Sequence, residues 1–400
     1  MNVIYVGIVP PQHIIDEIKQ LGSYMDNASL TFQKALVTGL DHWFPDMRIV
    51  SGIRVDCFPK VKKIYFKPEE YSHKGDVTKR DRFVGIVNLP ILKRIFLFLD
   101  KRRSIKRMLS KDDQNIIVMY ALPSSQLLAV ATLRKKIYKS CLVIPDLPEY
   151  MSDKRGLLRA FAKSIDRKLI NWAIRRIDTF ALLSCHMAEK LPIDKKSWRV
   201  MEGIYNQKDS DIRPIDDYNH YRTIMYSGDL GLRYGIKDLL DAFELITDKN
   251  YRLLICGAGD GKELVQDVAT QDSRVIYMGV VDREKVLSLQ RSASVLVNPR
   301  KKTKEYTKYS FPSKTMEYLA SGTPVIMHHL QSIPSEYDDY INYIESETSE
   351  SLRNKIVDVC EHHYEESLIK AQRAALFIKE KKNAVVQSRI IVELIKSEKS

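Results

Sequence analysis

Three charged residues, Arg300, Lys314 and Glu317, are spaced so that a strand end, a turn and a helix start could bring them to one anionic ligand. The turn Ser310-Phe311-Pro312-Ser313-Lys314 leads into a helical stretch through Tyr318. Proline is tolerated there because the first N–H groups of a helix have no intrahelical partner. Those groups, at the positive end of the helix dipole, form an anion site. Lys314 adds a mobile positive charge, and Arg300, on the loop after Val295-Leu296-Val297, offers a fork of donors that suits diphosphate oxygens. Glu317, one turn into the helix, could accept hydrogen bonds from vicinal hydroxyls. All three also read as ordinary solvated charges.

A second phosphate-type feature follows the run Arg252–Cys256. Gly257-Ala258-Gly259-Asp260-Gly261 enters a helical stretch through Lys262, Glu263, Leu264 and Val268. Such a turn lets a phosphate approach backbone N–H groups, and it serves equally as a tight strand-to-helix connection with no ligand. The dinucleotide fingerprint needs its last glycine where Lys262 stands, and its acidic residue is replaced by the stretch Tyr277-Met278-Gly279. Hydride transfer is therefore disfavoured.

These residues need elements to hold them. Short apolar runs alternate with amphipathic stretches: Val3–Val9, Ile116–Tyr120, Ser140–Ile144, Thr179–Ser184, Thr223–Ser227, Arg252–Cys256, Val275–Met278, Val295–Val297 and Pro324–Met327. This is the pattern of strand-helix units around buried parallel sheets. A polar, turn-rich segment from Tyr205 to Tyr221 places a linker between a first domain, 1–204, and a second, 217–376. A C-terminal helix, 377–400 or slightly longer, carries apolar Ile378, Val386, Ile390, Ile391, Leu394 and Ile395 and is expected to pack back on the first domain.

The chain has 400 residues and a net charge of +13, which favours an anionic partner such as a diphosphate, a nucleic acid or an acidic membrane. No nucleic-acid-binding motif accompanies the charge. The five scattered cysteines suggest neither a disulfide framework nor a zinc site, so a reducing, cytoplasmic setting is expected. The start Met1–Pro11 lacks the layout of a signal peptide, and Lys93 and Arg94 interrupt the most apolar stretch before it could span a membrane. A soluble or peripheral protein is expected.

Taken together, Tyr226-Ser227-Gly228-Asp229-Leu230, the glycine turn, Asn298-Pro299-Arg300 and the stretch Ser310–Ile326 resemble the C-terminal domain of family 4 retaining glycosyltransferases. The resemblance implies an α/β GT-B fold, two Rossmann-like domains with parallel sheets facing across a cleft. It implies a nucleotide-sugar site at Gly228, Gly257, Gly259, Arg300, Ser310, Phe311, Ser313, Lys314 and Glu317. Glu317 matches the second glutamate of the family's Glu-x7-Glu motif, which binds the nucleotide ribose. The first glutamate falls on Tyr309, and the arginine and lysine of the family's phosphate signature fall on Asp229 and Tyr234. Arg233 and Lys237 lie nearby but shifted; Arg300 and Lys314 are the preferred substitutes.

The resemblance places the acceptor on the first domain, where His13, Asp146, Glu149 and Tyr150 follow strands, as does His186. Retention, with the leaving phosphate deprotonating the acceptor, would need no protein base; inversion would, and Asp146 or Glu149 would then be the catalytic candidates. The donor is expected to be a uridine diphosphate sugar, the acceptor lipid-linked or a polysaccharide, and neither metal nor cofactor is expected. Rivals are a nucleotide-sugar epimerase or phosphorylase on the same fold, or an inactive glycosyltransferase-like partner subunit. Finally, 89–109 spaces Ile91, Leu92, Ile95, Phe96, Phe98, Leu99, Ile105, Met108 and Leu109 at three and four residues, interleaved with Lys93, Arg94, Lys101, Arg102, Arg103, Lys106 and Arg107. Such a segment could lie on an anionic membrane, at the inner face of the bilayer, or pack on a core with a solvated basic side.

Overall fold

The computed structural model describes residues 1–23, 26–147, 157–206 and 221–397. The chain divides into two compact units, Met1–Ile204 with Ala384–Ser400, and Tyr205–Asn383.

In the first unit, strands β1 (Asn2–Gly7), β2 (Arg48–Ser51), β4 (Glu69–Tyr71), β5 (Asp81–Phe83), β7 (Asn115–Tyr120), β8 (Lys139–Ile144), β9 (Thr179–Leu182) and β10 (Ser197–Val200) form one sheet. Its order is β10-β9-β8-β7-β1-β2-β5-β4, and a small pair, β3 (Tyr65–Phe66) with β6 (Ile86–Val87), stands apart. Pairing is parallel except at the β4–β5 edge, which is antiparallel, as is β3–β6. Residues 72–80, which join β4 to β5, are too few for a crossover helix, so the chain turns straight back. Helices α1 (Gln12–Gln20), α2 (Asn27–Trp43), α3 (Leu92–Met108), α4 (Ser124–Ala131) and α5 (Leu157–Ile174) accompany this sheet.

The second unit is a wholly parallel sheet of β11 (Arg222–Asp229), β12 (Tyr251–Ala258), β13 (Val275–Gly279), β14 (Val295–Asn298), β15 (Val325–His328) and β16 (Asn342–Ile344), in the order β13-β12-β11-β14-β15-β16. Its helices are α6 (Ile236–Glu244), α7 (Lys262–Gln271), α8 (Arg283–Ser292), α9 (Ser313–Ser321), α10 (Ser349–Val357) and α11 (Tyr364–Lys381). The strand order reverses between β11 and β14. In open α/β sheets ligands bind at such a switch point, beyond the carboxyl ends of the strands.

The tail read as one helix is two. The helix α11 ends at Lys381, and α12 (Ala384–Lys396) returns to the first unit. Its Ile391, Val392, Leu394 and Ile395 join a core cluster with Leu36, Val37 and Leu40 of α2. The approach is close: a Cβ on Gly39 would overlap the Ala384 carbonyl oxygen, and Trp43 Nε1 donates to the Val385 carbonyl at 3.2 Å. Glycine at 39 is what lets the two helix backbones meet.

Candidate functional site

At the switch point of the second unit, β11 ends in Gly228-Asp229, β14 leads into Pro299-Arg300, and α9 begins after Pro312. Gly228 faces the start of α9, for a Cβ on it would stand 3.9 Å from Lys314 Cγ. The glycine turn after β12 lies against the same loop. Gly257 has φ 142°, and a Cβ on it would overlap the Gly228 carbonyl oxygen. On Gly259, a Cβ would stand 2.6 Å from the Gly231 amide nitrogen. The space these glycines free is filled by the chain's own 228–231 backbone. Their local cause is thus close packing of two strand ends, which also fixes the rim of the site.

The cations are arranged differently from the simplest sequence reading. The Arg300 guanidinium lies over Tyr234, 4.7 Å from the ring centroid, and 5.7 Å from that of Tyr306. Arg233 lies 4.6 Å and 5.9 Å from the same two rings and donates to the Tyr234 hydroxyl at 2.5 Å. The rings themselves meet edge to face at 6.1 Å. Two guanidinium groups thus share one aromatic pair, and no described carboxylate lies within ion-pair distance of either. Cation–π attraction offsets part of their mutual repulsion. Arg300 Nε is buried without a partner, an open donor beside the switch point. Lys237 is turned away to Asp241, 2.7 Å distant.

Lys314 does not project freely. Its ammonium donates to Glu317 Oε1 at 2.7 Å, Gln290 Nε2 donates to the same oxygen at 2.8 Å, and Arg283 donates to Oε2 at 2.9 Å. Burial by itself would raise the Glu317 carboxyl. The Lys314 and Arg283 charges and the hydrogen bonds from Lys314 and Gln290 outweigh it and hold the group below its ordinary value. Glu317 is therefore an ionised acceptor fixed in place, poised for a hydroxyl pair only through its remaining lone pairs.

Among the other expected residues, Ser313 is exposed and Ser310 half-buried at the turn. Phe311 belongs to the core, its ring centroid 5.7 Å from that of Tyr337. Tyr309 is buried, so the position of the family's first glutamate holds a packed phenol. In the first unit Asp146 is exposed and lines a cavity described below. His13 is exposed and lies 2.9 Å from Glu69, and His186 pairs with Glu189 at 3.0 Å. Neither histidine lines that cavity. Glu149 and Tyr150 fall outside the described residues.

Sequence reading missed Arg283, Gln290 and Tyr306. Gln290 is fully buried in α8, bonded to Ser227 Oγ at 2.8 Å as well as to Glu317. Nothing in the local pattern separates such a glutamine from a solvated one.

Chains of known structure share this architecture over their whole length. Sucrose-phosphate synthase from Thermosynechococcus elongatus superposes with a TM-score of 0.63 at 15% identity, covering 98% of each chain. Anabaena HepE in complex with UDP gives 0.63 at 11% identity over 100% of both chains. The apo lipopolysaccharide outer core galactosyltransferase WaaB gives 0.61 at 14% identity over 99% of both. The fold is GT-B. Residues 221–362 match the model of the glycosyl transferases group 1 family, so the chain is a transferase whose second unit carries the glycosyltransferase domain. No curated protein sequence matches the chain significantly.

Proposed function

We propose that the protein transfers a sugar from a nucleoside diphosphate donor, foremost a uridine diphosphate sugar, to a lipid-linked or polysaccharide acceptor with retention of configuration. The observation that carries this reading is the pair Arg233 and Arg300, gathered on Tyr234 and Tyr306 beside the start of α9 at the sheet's switch point. A diphosphate gains negative charge as the glycosidic bond breaks, and donors already in place stabilise that charge without reorganising. The reading assigns this neutralisation to the arginines and the helix start rather than to a metal, and the ribose hydroxyls to Glu317. HepE in complex with UDP and the galactosyltransferase WaaB share the fold, which makes such a donor and such an acceptor the first to test.

Among the described residues no helix is long and apolar enough to cross a membrane. The helix α3 exposes Ile95, Phe96 and Leu99 to solvent, with Arg103, Lys106 and Arg107 also exposed. An acidic bilayer fits that face, the rings and chains entering it and the cations meeting lipid phosphates. Peripheral binding would put enzyme and lipid-linked acceptor on one surface.

The test is calorimetry with UDP followed by a panel of labelled nucleotide-sugars with membrane extract. UDP binding and transfer to lipid or polysaccharide, with retained anomeric configuration by NMR, are expected. Release of an altered free nucleotide-sugar would favour an epimerase, and absence of any nucleotide binding a non-catalytic subunit.

A further inference from the structure

The first unit carries an open cavity of about 580 Å³ lined by Ile8, Gly52, Ala121 and Asp146, which follow β1, β2, β7 and β8. Here β1 separates β2 from β7, so the cavity sits at this sheet's own switch point. Into it α3 sends Lys101, a lysine only 5% exposed. Its ammonium donates to Gln126 Oε1 at 3.1 Å, and Gln126 is itself fixed by donating to the Tyr120 carbonyl at 2.8 Å. No described carboxylate pairs with Lys101, and an ammonium has three protons to donate, so two remain open. Burial draws the group down to about 8, the direction expected of a cation that gives up water and gains no counter-ion.

Beside Lys101 begins α4. Its cap, Pro123, supplies no side-chain acceptor, and the first bonded amides are those of Gln126 and Leu127, both to the Pro123 carbonyl. Ser124 and Ser125, which precede them, line the cavity. An ammonium and a helix start together suit a tetrahedral oxyanion. Two non-glycine residues have φ in the left-handed region among those described, Ile91 at 66° and Ala121 at 63°, and both line this cavity. Strain of that kind collects at binding sites, where surrounding structure over-determines it. Four aspartates also line the cavity and none of them pairs with Lys101: Asp166 takes Arg94 at 3.3 Å, Asp26 takes Arg54 at 3.7 Å, Asp56 takes Lys60 at 2.7 Å, and Asp146 is exposed.

We propose that this cavity seats a phosphate group of the acceptor, with Lys101 as its charged anchor. The proposal rests on the sugar transfer proposed above and names the substrate class of the acceptor: a phosphate-bearing molecule, whether the phosphate sits on a lipid or on a sugar. The test uses full-length protein saturated with UDP, so that the donor site cannot answer for the cavity, and titrates inorganic phosphate, then geranyl phosphate and glucose 1-phosphate. Wild type is expected to bind phosphate. Lys101→Met, which keeps the volume, and Lys101→Gln, which keeps a donor toward Gln126, are each expected to weaken it by about tenfold or more while UDP affinity stays unchanged. Preference for geranyl phosphate would mark a lipid carrier, and preference for glucose 1-phosphate a saccharide. Wild-type phosphate affinity in both variants, or no phosphate binding by a protein that binds UDP, would overturn the proposal. Failure to bind UDP would instead count against the donor reading, and the phosphate titration would then be run on Arg300→Ala.

Discussion

Arg300 has an unpartnered Nε and no acid beside it, whereas Lys314 already holds Glu317. Removing each should therefore have unequal effects. Arg300→Ala is expected to weaken UDP binding by roughly tenfold to a hundredfold, the range of one charge-assisted hydrogen bond, and Arg233→Ala by a comparable factor. Lys314→Ala should weaken it less, because Arg283 and Gln290 still hold Glu317. Calorimetry on the three variants ranks them; a Lys314→Ala loss exceeding that of Arg300→Ala would contradict the arrangement. Arg300 was legible in the sequence because it follows an apolar run directly. Arg233 was visible but could not be placed, since its position depends on how Tyr234 and Tyr306, far apart in the chain, come together.

His73 carries a second prediction at this scale. Its Nδ1 lies 2.6 Å from Asp81 and its Nε2 2.9 Å from Asp41, and Lys74 also reaches Asp41 at 3.4 Å. Burial would lower the imidazolium, but the two carboxylates outweigh it and raise the group from 6.5 to about 9. A raised folded-state value means that the contribution to stability is complete below the unfolded value near 6.5 and is lost as pH rises through about 9. Urea unfolding of wild type and His73→Gln should thus differ most at pH 6 or lower and converge above about pH 9. A constant difference across that range would refute the linkage.

Among the elements, α3 shows how a hydrophobicity pattern can pick the wrong side of a helix. The face turned inward is Lys101, Ser104, Ile105 and Met108, at helical spacing, while the more apolar Ile95, Phe96 and Leu99 are exposed. Read from the sequence, Lys101 belongs with the interleaved basic residues; in the fold it is the one turned into the cavity. A buried lysine leaves no local trace, because what makes the position tolerable is Gln126 on another helix. The helix α12 was easier, since its apolar stripe required a cover, and α2 provides it. Gly39→Ala tests that contact. Replacing glycine by alanine inside a helix gains about 1 kcal/mol from propensity. Overpacking against a backbone carbonyl costs about 1–3 kcal/mol, so the clash should win and the melting temperature fall. A rise would mean that α12 can shift without loss.

For the whole molecule, the alternation of short apolar runs with amphipathic stretches made the α/β class readable, and each of those runs is a strand whose ends move by a residue or two. Strand order was not readable, nor were the short strands β2 to β6, β10 and β16, because those depend on pairing between distant segments rather than on local period. The division into units has a physical consequence. The chain enters the second unit at Tyr205 and leaves it at Asn383, and these two residues form a bridge, with the Tyr205 amide donating to the Lys382 carbonyl at 2.7 Å. The second unit thus begins and ends at one place, with its own cores and a complete parallel sheet. The first unit, by contrast, is incomplete without residues 384–397, whose removal would uncover Leu36, Val37 and Leu40. Expressed alone, 205–383 is expected to unfold cooperatively and to bind UDP within a few-fold of the full chain, whereas 1–204 should be aggregation-prone and regain solubility when α12 is fused back through a linker. Loss of UDP binding in a folded 205–383 would mean that residues of the first unit complete the donor site.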